Sequence, residues 1–429
     1  MNPLLDDMMW RGLIKNHTDL VELGNRLDHG PITLYCGYDP TADSLHVGNL
    51  QMVVMLRHFQ LAGHRIIALS GGGTGLIGDP SGRSEERQLR GEQTVKGWTK
   101  SITDQLNRCL SITDDLIPPL FVDNIEWIAK MSAVDFLRDL GKHFTVNYML
   151  AKDSVSSRIG NEDSGLSFTE FSYMLLQAFD FLTLYRQHGC ELQIGGSDQW
   201  GNITAGITLT KKISGNSVYG ITSPLILRSD GKKFGKSESG AIWLAREKTS
   251  PFAMHQYFMN VPDSDALMLL KRLTLLDRKF IEEIEQHTQT FPEKRLAQKT
   301  VAEEVVRFVH GADAVNEATA VSNWLFGTGN LPSNKNPNYS SLLAGVPCYE
   351  TISSMKKTWD EFLTESGITT SKSDARRLIQ GGGICVWENR IKKHDDLVDL
   401  PTISKDGIVV ISKGKKNKTI IKVIESISS

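Results

Sequence analysis

Thr33-Leu34-Tyr35-Cys36-Gly37-Tyr38-Asp39-Pro40-Thr41-Ala42-Asp43-Ser44-Leu45-His46-Val47-Gly48-Asn49-Leu50 decides how the chain is read. Ile32 to Tyr35 predicts a short strand. Gly37 and Asp39-Pro40 break it, because proline disfavours helix at the residue before it. A helix is predicted next, with Asp43 or Ser44 capping its first free amides. Leu50, Val53, Val54, Leu56, Phe59 and Leu61 carry its apolar spacing. A strand that turns into a helix N-terminus makes an anion site, since unpaired N–H groups and the helix dipole converge there. Thr41 and His46 stand within reach of such an anion, and Gly48 lets a nucleotide approach the backbone.

The same grammar recurs downstream. Arg65 to Leu69 reads as a second strand, running into the glycine-rich stretch from Ser70 to Arg83. Gly73-Thr74-Gly75-Leu76-Ile77-Gly78 matches G-x-G-x-x-G in form. A dinucleotide motif needs a helix opening off its third glycine, and Asp79-Pro80-Ser81-Gly82 is turn chemistry instead. The glycines suit close approach of a small substrate, Asp79 suits an ammonium group, and Arg83 and Arg87 suit a polyphosphate. Leu116 to Val122 reads as a strand and Trp127 to Leu140 as a helix. Thr169 to Leu184 is a strong helix, on which Tyr173, Gln177 and Asp180 share a polar face. Cys190 to Ile194 is a strand ending in Gly195-Gly196-Ser197-Asp198-Gln199-Trp200-Gly201-Asn202, and a helix from Gln199 to Lys212 follows. Asp198 is placed to bind ribose hydroxyls. The alternation predicts an α/β fold with a mainly parallel sheet and its site at the strands' carboxyl ends.

Composition bounds the rest. A chain of 429 residues is expected to hold more than one domain. No apolar run approaches a membrane span, and the acidic start lacks a targeting leader. Five scattered cysteines without CxxC spacing argue against zinc and against a disulfide framework, which fits a cytoplasmic setting. Net charge is −2, yet residues 351–429 hold 14 Lys and Arg against 10 Asp and Glu. A basic tail on an acidic body points to an anionic partner. Met8 to Leu27 reads as one amphipathic helix, and Tyr219 to Leu227 as a strand and turn. Asp230-Gly231-Lys232-Lys233-Phe234-Gly235-Lys236-Ser237 sets two lysines three apart on a glycine-bearing loop. Residues 250–327 are helical in pattern and 328–350 read as a linker. In the tail, Thr358 to Ser366 and Ser371 to Gln380 predict helices. Strands follow at Ile384 to Trp387, Gly407 to Ser412 and Lys418 to Val423, with a basic loop at Lys415-Lys416.

His46-Val47-Gly48-Asn49 resembles the HIGH signature of class I aminoacyl-tRNA synthetases. Lys233-Phe234-Gly235-Lys236-Ser237 resembles their KMSKS signature. The stretch from Leu34 to Thr41 and Gly195-Gly196-Ser197-Asp198-Gln199-Trp200-Gly201-Asn202 resemble the bacterial-type tyrosyl-tRNA synthetase family, over essentially the whole chain. The resemblance implies a Rossmann-like catalytic domain (1–226), a KMSKS-type loop (227–249), a helical anticodon-side domain (250–327), a linker, and an S4-like α+β RNA-binding domain (351–429). It implies that L-tyrosine is activated with ATP, magnesium accompanying the ATP, and passed to the terminal adenosine of tRNA(Tyr), by a homodimer. Thr41, His46, Arg83, Arg87, Lys233 and Lys236 would serve the phosphates. Tyr35 and Asp180 would read the phenol, Asp79, Tyr173 and Gln177 the ammonium, and Gln199 the carboxylate. Cys36, Gly37, Asp39, Gly48, Asn49, Gly196, Asp198 and Lys236 would hold ATP. Arg376, Arg377, Lys415 and Lys416 would contact RNA phosphates. The sequence departs from the signatures at Asn49, Phe234, Gly235 and Arg83. A tryptophanyl-type synthetase and a non-catalytic RNA-binding protein on the same scaffold are the alternatives. Asp180 paired with Tyr35 speaks against the first, and retention of His46, Lys233 and Lys236 against the second.

Overall fold

The computed structural model describes residues 1–81, 89–111, 116–156, 166–227, 229, 231, 234–237, 240–326, 346–353, 356–387, 389–404, 407–414 and 417–424. The chain divides into two units: residues 1–248 with 258–309, and residues 249–257 with 310–429.

The first unit begins with α1 (Pro3–Trp10), β1 (Asn16–His17) and α2 (Leu20–Asp28). The single helix expected from Met8 to Leu27 is thus two. Gly12 turns the chain at φ +70°, and Asn16 leaves to pair with Thr222 at a sheet edge. β2 (Thr33–Tyr38), α3 (Val47–Leu61), β3 (Arg65–Ser70), α4 (Thr74–Ile77), α5 (Glu92–Leu110) and β4 (Leu120–Asp123) follow. β2 runs past the predicted stop at Gly37 because Gly37 and Tyr38 pair with Leu69 and Ser70 of β3. β4 starts later than predicted, since Pro118 and Pro119 lack the N–H a ladder needs.

The helix expected from Trp127 to Leu140 is broken into α6 (Ile125–Ile128), α7 (Ala133–Asp135) and a π-helical turn at Phe136–Leu140; the Ser132 side chain restarts it by accepting from the Asp135 N–H. α8 (Val146–Leu150) and α9 (Asp153–Ser156) lead to α10 (Phe168–His188), which Ser167 caps and Gly189 ends at φ 61°. β5 (Cys190–Gly196), α11 (Trp200–Ser214), β6 (Tyr219–Ser223) and the β7–β8 hairpin (Lys236–Ser237, Gly240–Ala241) complete the α/β part. Its sheet has the order β1-β6-β5-β2-β3-β4, parallel except for β1. β2 lies inside, between β3 and β5, so its carboxyl end opens at the middle of the sheet.

α12 (Pro251–Met259) links to α13 (Asp263–Leu273), α14 (Arg278–Thr290) and α15 (Leu296–His310). In the second unit, α16 (Ala312–Phe326), β9 (Cys348–Ile352), α17 (Trp359–Glu365), α18 (Lys372–Gln380), β10 (Ile384–Val386), β11 (Asn389–Arg390), α19 (Leu400–Ile403), β12 (Ile408–Lys413) and β13 (Asn417–Ile424) form a sheet of order β11-β10-β12-β13-β9 and its cover. β9 lies partly in the stretch read as linker; it becomes a strand by pairing in parallel with β13, a partner about seventy residues on. Side chains alternate along β12. Val409 and Ile411 face a cluster with Phe362 and Leu363, while Ile408 and Val410 face Phe252, Val321 and Trp324.

Phe181 on α10 is fully buried and meets the Tyr35 ring edge-on at 5.3 Å. Phe181→Ala is expected to cost about 3–5 kcal/mol, read as a drop in the urea midpoint at unchanged m-value. A loss under about 1 kcal/mol would show that this contact does not anchor α10 on β2.

Candidate active site

A cavity of about 450 Å³ opens at the carboxyl ends of β2 and β5. Tyr35, Cys36, Gly37, Asp39, Thr41, His46, Gly48, Asn49, Asp79, Tyr173, Gln177, Asp180, Gly196, Asp198 and Gln199 all line it. Lys236 lies in β7, and Arg376 and Arg377 lie on α18. Arg83, Arg87, Lys233, Lys415 and Lys416 fall outside the described residues.

The mouth is built by the turn into α3. His46, not Asp43 or Ser44, caps this helix, and its backbone N–H donates to Asn49 Oδ1 at 3.1 Å. Ser44 is used elsewhere: its hydroxyl meets Gln105 Oε1 at 3.2 Å and accepts from the Ala245 N–H at 3.0 Å. Asp43 pairs with Lys248. A Cβ at Gly48 would stand 2.8 Å from the His46 imidazole, so the glycine makes room for that ring. The lysine hairpin is tied to the same turn. Val47 N–H donates to Ile242 O at 2.9 Å, Ile242 N–H to Gly235 O at 2.8 Å, and Leu244 N–H to Leu45 O at 2.8 Å. The departures at Phe234 and Gly235 fit locally. Phe234 is buried against Phe258, and Gly235 has φ +85°, where a side chain would be strained.

The floor is a hydrogen-bonded chain. Tyr173 donates its hydroxyl to Asp39 Oδ2 at 2.7 Å, and Thr74 donates to Asp39 Oδ1 at 2.8 Å. Asn124 Nδ2 donates to Thr74 Oγ1 at 2.9 Å and to Asp180 Oδ2 at 3.0 Å. Trp127 Nε1 donates to Asp180 Oδ1 at 2.8 Å. The glycine run serves this chain. Gly73 N–H donates to Asn124 Oδ1 at 2.8 Å, and a Cβ at Gly71 would stand 2.5 Å from Thr74 Oγ1. Within the run a short helix, α4, opens at Thr74 and stops at Gly78, so the third glycine of the G-x-G-x-x-G ends a helix rather than opening one. On the opposite wall Asp79 accepts from the Ser81 N–H at 2.9 Å and from Gln199 Nε2 at 2.7 Å. Asn202 Nδ2 donates to Gln177 Oε1 at 3.0 Å.

Asn124, Trp127, Thr74 and Asn202 were missed from sequence. The available signal was position: Asn124 and Trp127 follow directly on the carboxyl end of β4, where open α/β sheets place ligands.

Burial sets the charge states. It pushes the Asp180 carboxyl up to about 8, against the Asn124 and Trp127 hydrogen bonds that favour the carboxylate. Burial, with the Asp180 charge behind it, holds the Tyr35 phenol well above its usual range. Burial also drives the Cys36 thiol to about 12. The Tyr35 hydroxyl is buried and has no partner among the described residues. The floor therefore offers one neutral donor and one tunable acid to a polar group at the end of an inserted ligand.

Residues 27–327 match the family described as tRNA synthetases class I (W and Y), and residues 338–421 match the tyrosine–tRNA ligase SYY-like C-terminal domain. A tyrosine–tRNA ligase of Bacillus caldotenax is 46% identical over 98% of this chain and 99% of its own. Tyrosine–tRNA ligase 1 of Bacillus subtilis (strain 168) is 45% identical with the same two coverages, 98% and 99%. A solved structure, a C-terminally truncated mitochondrial tyrosyl-tRNA synthetase of Aspergillus nidulans, aligns with a TM-score of 0.68 at 30% identity, covering 75% of this chain and 94% of that one. With a parallel sheet opening on this cleft, the HIGH-like turn at its mouth, and likeness running nearly end to end, the chain belongs to the tyrosine–tRNA ligase family of class I aminoacyl-tRNA synthetases.

Proposed function

We propose that the cavity at the ends of β2 and β5 is where L-tyrosine and ATP react, and that the residues lining it act as follows. As a member of its family the chain activates tyrosine with ATP, releasing pyrophosphate, and then charges tRNA. Tyr35 and Asp180 read the phenol. Asp79, Tyr173 and Gln177 hold the ammonium group, and Gln199 lies by the carboxylate. Cys36, Gly37, Asp39, Gly48, Asn49, Gly196 and Asp198 cradle the nucleotide. Thr41, His46 and Lys236, with Arg83, Arg87 and Lys233, meet the phosphates. The observation that carries this reading is the buried Tyr35 hydroxyl, without a partner among the described residues, in a cavity that Asp180 and His46 also line.

The tyrosine carboxylate is itself the nucleophile, attacking the α-phosphate. The protein's work is to align the two substrates and to place positive charge where pyrophosphate develops. A phenol that enters completes the hydrogen bonding of Tyr35 and Asp180, whereas a bare ring leaves buried polar groups unpaired. Magnesium enters with the ATP phosphates. Arg376 and Arg377 on α18, with Lys415 and Lys416, bind tRNA phosphates.

The enzyme works as a homodimer in the cytoplasm. Support for the dimer comes from exposed apolar side chains between Val134 and Phe168: Val134, Leu137, Val146 and Phe168 are 66%, 61%, 62% and 71% exposed. Support for the compartment is five free cysteines.

Amino-acid-dependent ATP–pyrophosphate exchange tests the function directly. Tyrosine is expected to support it and tryptophan to give next to none; robust exchange with tryptophan would overturn the assignment. The phenol reading carries a pH signature. The ionised Asp180 accepts the phenol's hydrogen bond more strongly than the neutral acid does, and kcat/KM reports the free enzyme. The kcat/KM ratio for tyrosine over phenylalanine is therefore expected to fall as pH drops below about 8 and to be flat in Asp180→Asn. A ratio independent of pH in the wild type would remove Asp180 from substrate choice. Phe168→Glu is expected to shift the protein toward monomer in sedimentation at low micromolar concentration, by about tenfold or more in dissociation constant. An unshifted dimer would take this stretch out of the interface.

A further inference from the structure

The three cations of α18 are each paired with an acid, and the pairs are of two kinds. Lys372 meets Glu361 at 2.9 Å, and Arg377 donates through a terminal nitrogen to Asp374 at 2.7 Å. Each of these uses the tip of the cation. Arg376 differs: it is Nε that donates to Asp360 Oδ2, at 2.7 Å. A guanidinium has five N–H donors in a rigid fork. With Nε engaged, its two terminal nitrogens form a free edge, without a partner among the described residues, on a side chain 51% exposed. Asp360 is the reverse, a carboxylate only 4% exposed. Its Oδ1 accepts the Thr358 hydroxyl at 2.6 Å, and its backbone N–H is fixed to His394 O at 3.1 Å. An acid held this firmly fixes the plane of the guanidinium that rests on it.

We infer that Asp360 is a positioning residue for tRNA, holding Arg376 by Nε so that its terminal edge meets a backbone phosphate in bidentate fashion. This rests on the reading of α18 as part of the RNA-binding face. The inference has a sign that charge alone does not give. Asp360 is an anion close to where an anionic ligand is to bind, so removing its charge should tighten binding on Coulombic grounds. If Asp360 orients Arg376, removing the charge weakens binding instead.

The test is equilibrium binding of tRNA(Tyr) to full-length protein across a salt series, with steady-state charging and a thermal melt of each variant. Arg376→Ala is expected to weaken binding about tenfold and to lower the slope of log K against log salt by about 1. Asp360→Asn is expected to weaken binding about three- to tenfold, raising KM for tRNA with kcat at saturating tRNA held, and to add nothing in an Arg376→Ala background. Arg376→Lys lies on the exposed side of the pair and keeps the charge without the fork. It is expected to restore the salt slope but not the affinity. Equal or tighter binding by folded Asp360→Asn, or full affinity in Arg376→Lys, would overturn the positioning role while leaving the RNA face in place. Wild-type binding by Arg376→Ala would instead remove α18 from the RNA face, and the proposal with it.

Discussion

The floor of the cleft hangs on one side chain. Asn124 is fully buried, and its amide accepts from Gly73 while donating to Thr74 and Asp180. A buried polar network is stable only when complete, since each lost partner strands another group away from water. Asn124 thus fixes three separate stretches of chain at once: the glycine run after β3, the end of β4, and the middle of α10. The glycines at 71 and 73 follow from the same constraint, because the backbone must come close enough for its amides and the Thr74–Asp39 bond to fit. The stretch that matches G-x-G-x-x-G in form is, in the fold, the seat of a side-chain network.

The parts legible in sequence were those whose causes are local. β2 and the helix after it show their periods within thirty residues, and Gly196 and Asp198 sit at and just past the end of β5. The face of α10 that carries Tyr173, Gln177 and Asp180 follows from helical spacing alone, and all three reach the cavity. The parts misread have distant causes. Asn124 lies about fifty residues from both Thr74 and Asp180, so nothing near it announces a role. The extension of β2 to Tyr38 depends on β3, and β1 exists only because β6 offers an edge. The helix cap is His46 rather than Asp43 or Ser44, because Asp43 pairs with Lys248 and Ser44 is claimed by Gln105 and Ala245, residues of other segments.

The link between the two signature regions is also non-local. Backbone bonds from Leu45 and Val47 to Leu244 and Ile242 join the His46 turn to the chain just after the lysine hairpin. The downstream end of that hairpin is therefore anchored to the turn that opens α3. Gly235, at a positive φ, gives the chain its bend immediately before β7. The glycine and the buried phenylalanine that replace two signature residues are explained by backbone geometry and packing, without appeal to chemistry at the phosphates.

The alternation along β12 carries a consequence for how this protein is taken apart. Both faces of the C-terminal sheet are apolar, one closed by α17 and α18, the other by α16 and Phe252. A piece cut at the apparent linker would keep the first cover and lose the second, leaving Ile408, Val410 and Ile420 bare on a flat sheet. Such a fragment is a poor candidate for grafting onto another protein or for study alone. The unit that packs together is larger than the tail alone, since it includes residues 249–257, about sixty positions ahead of α16 in the chain.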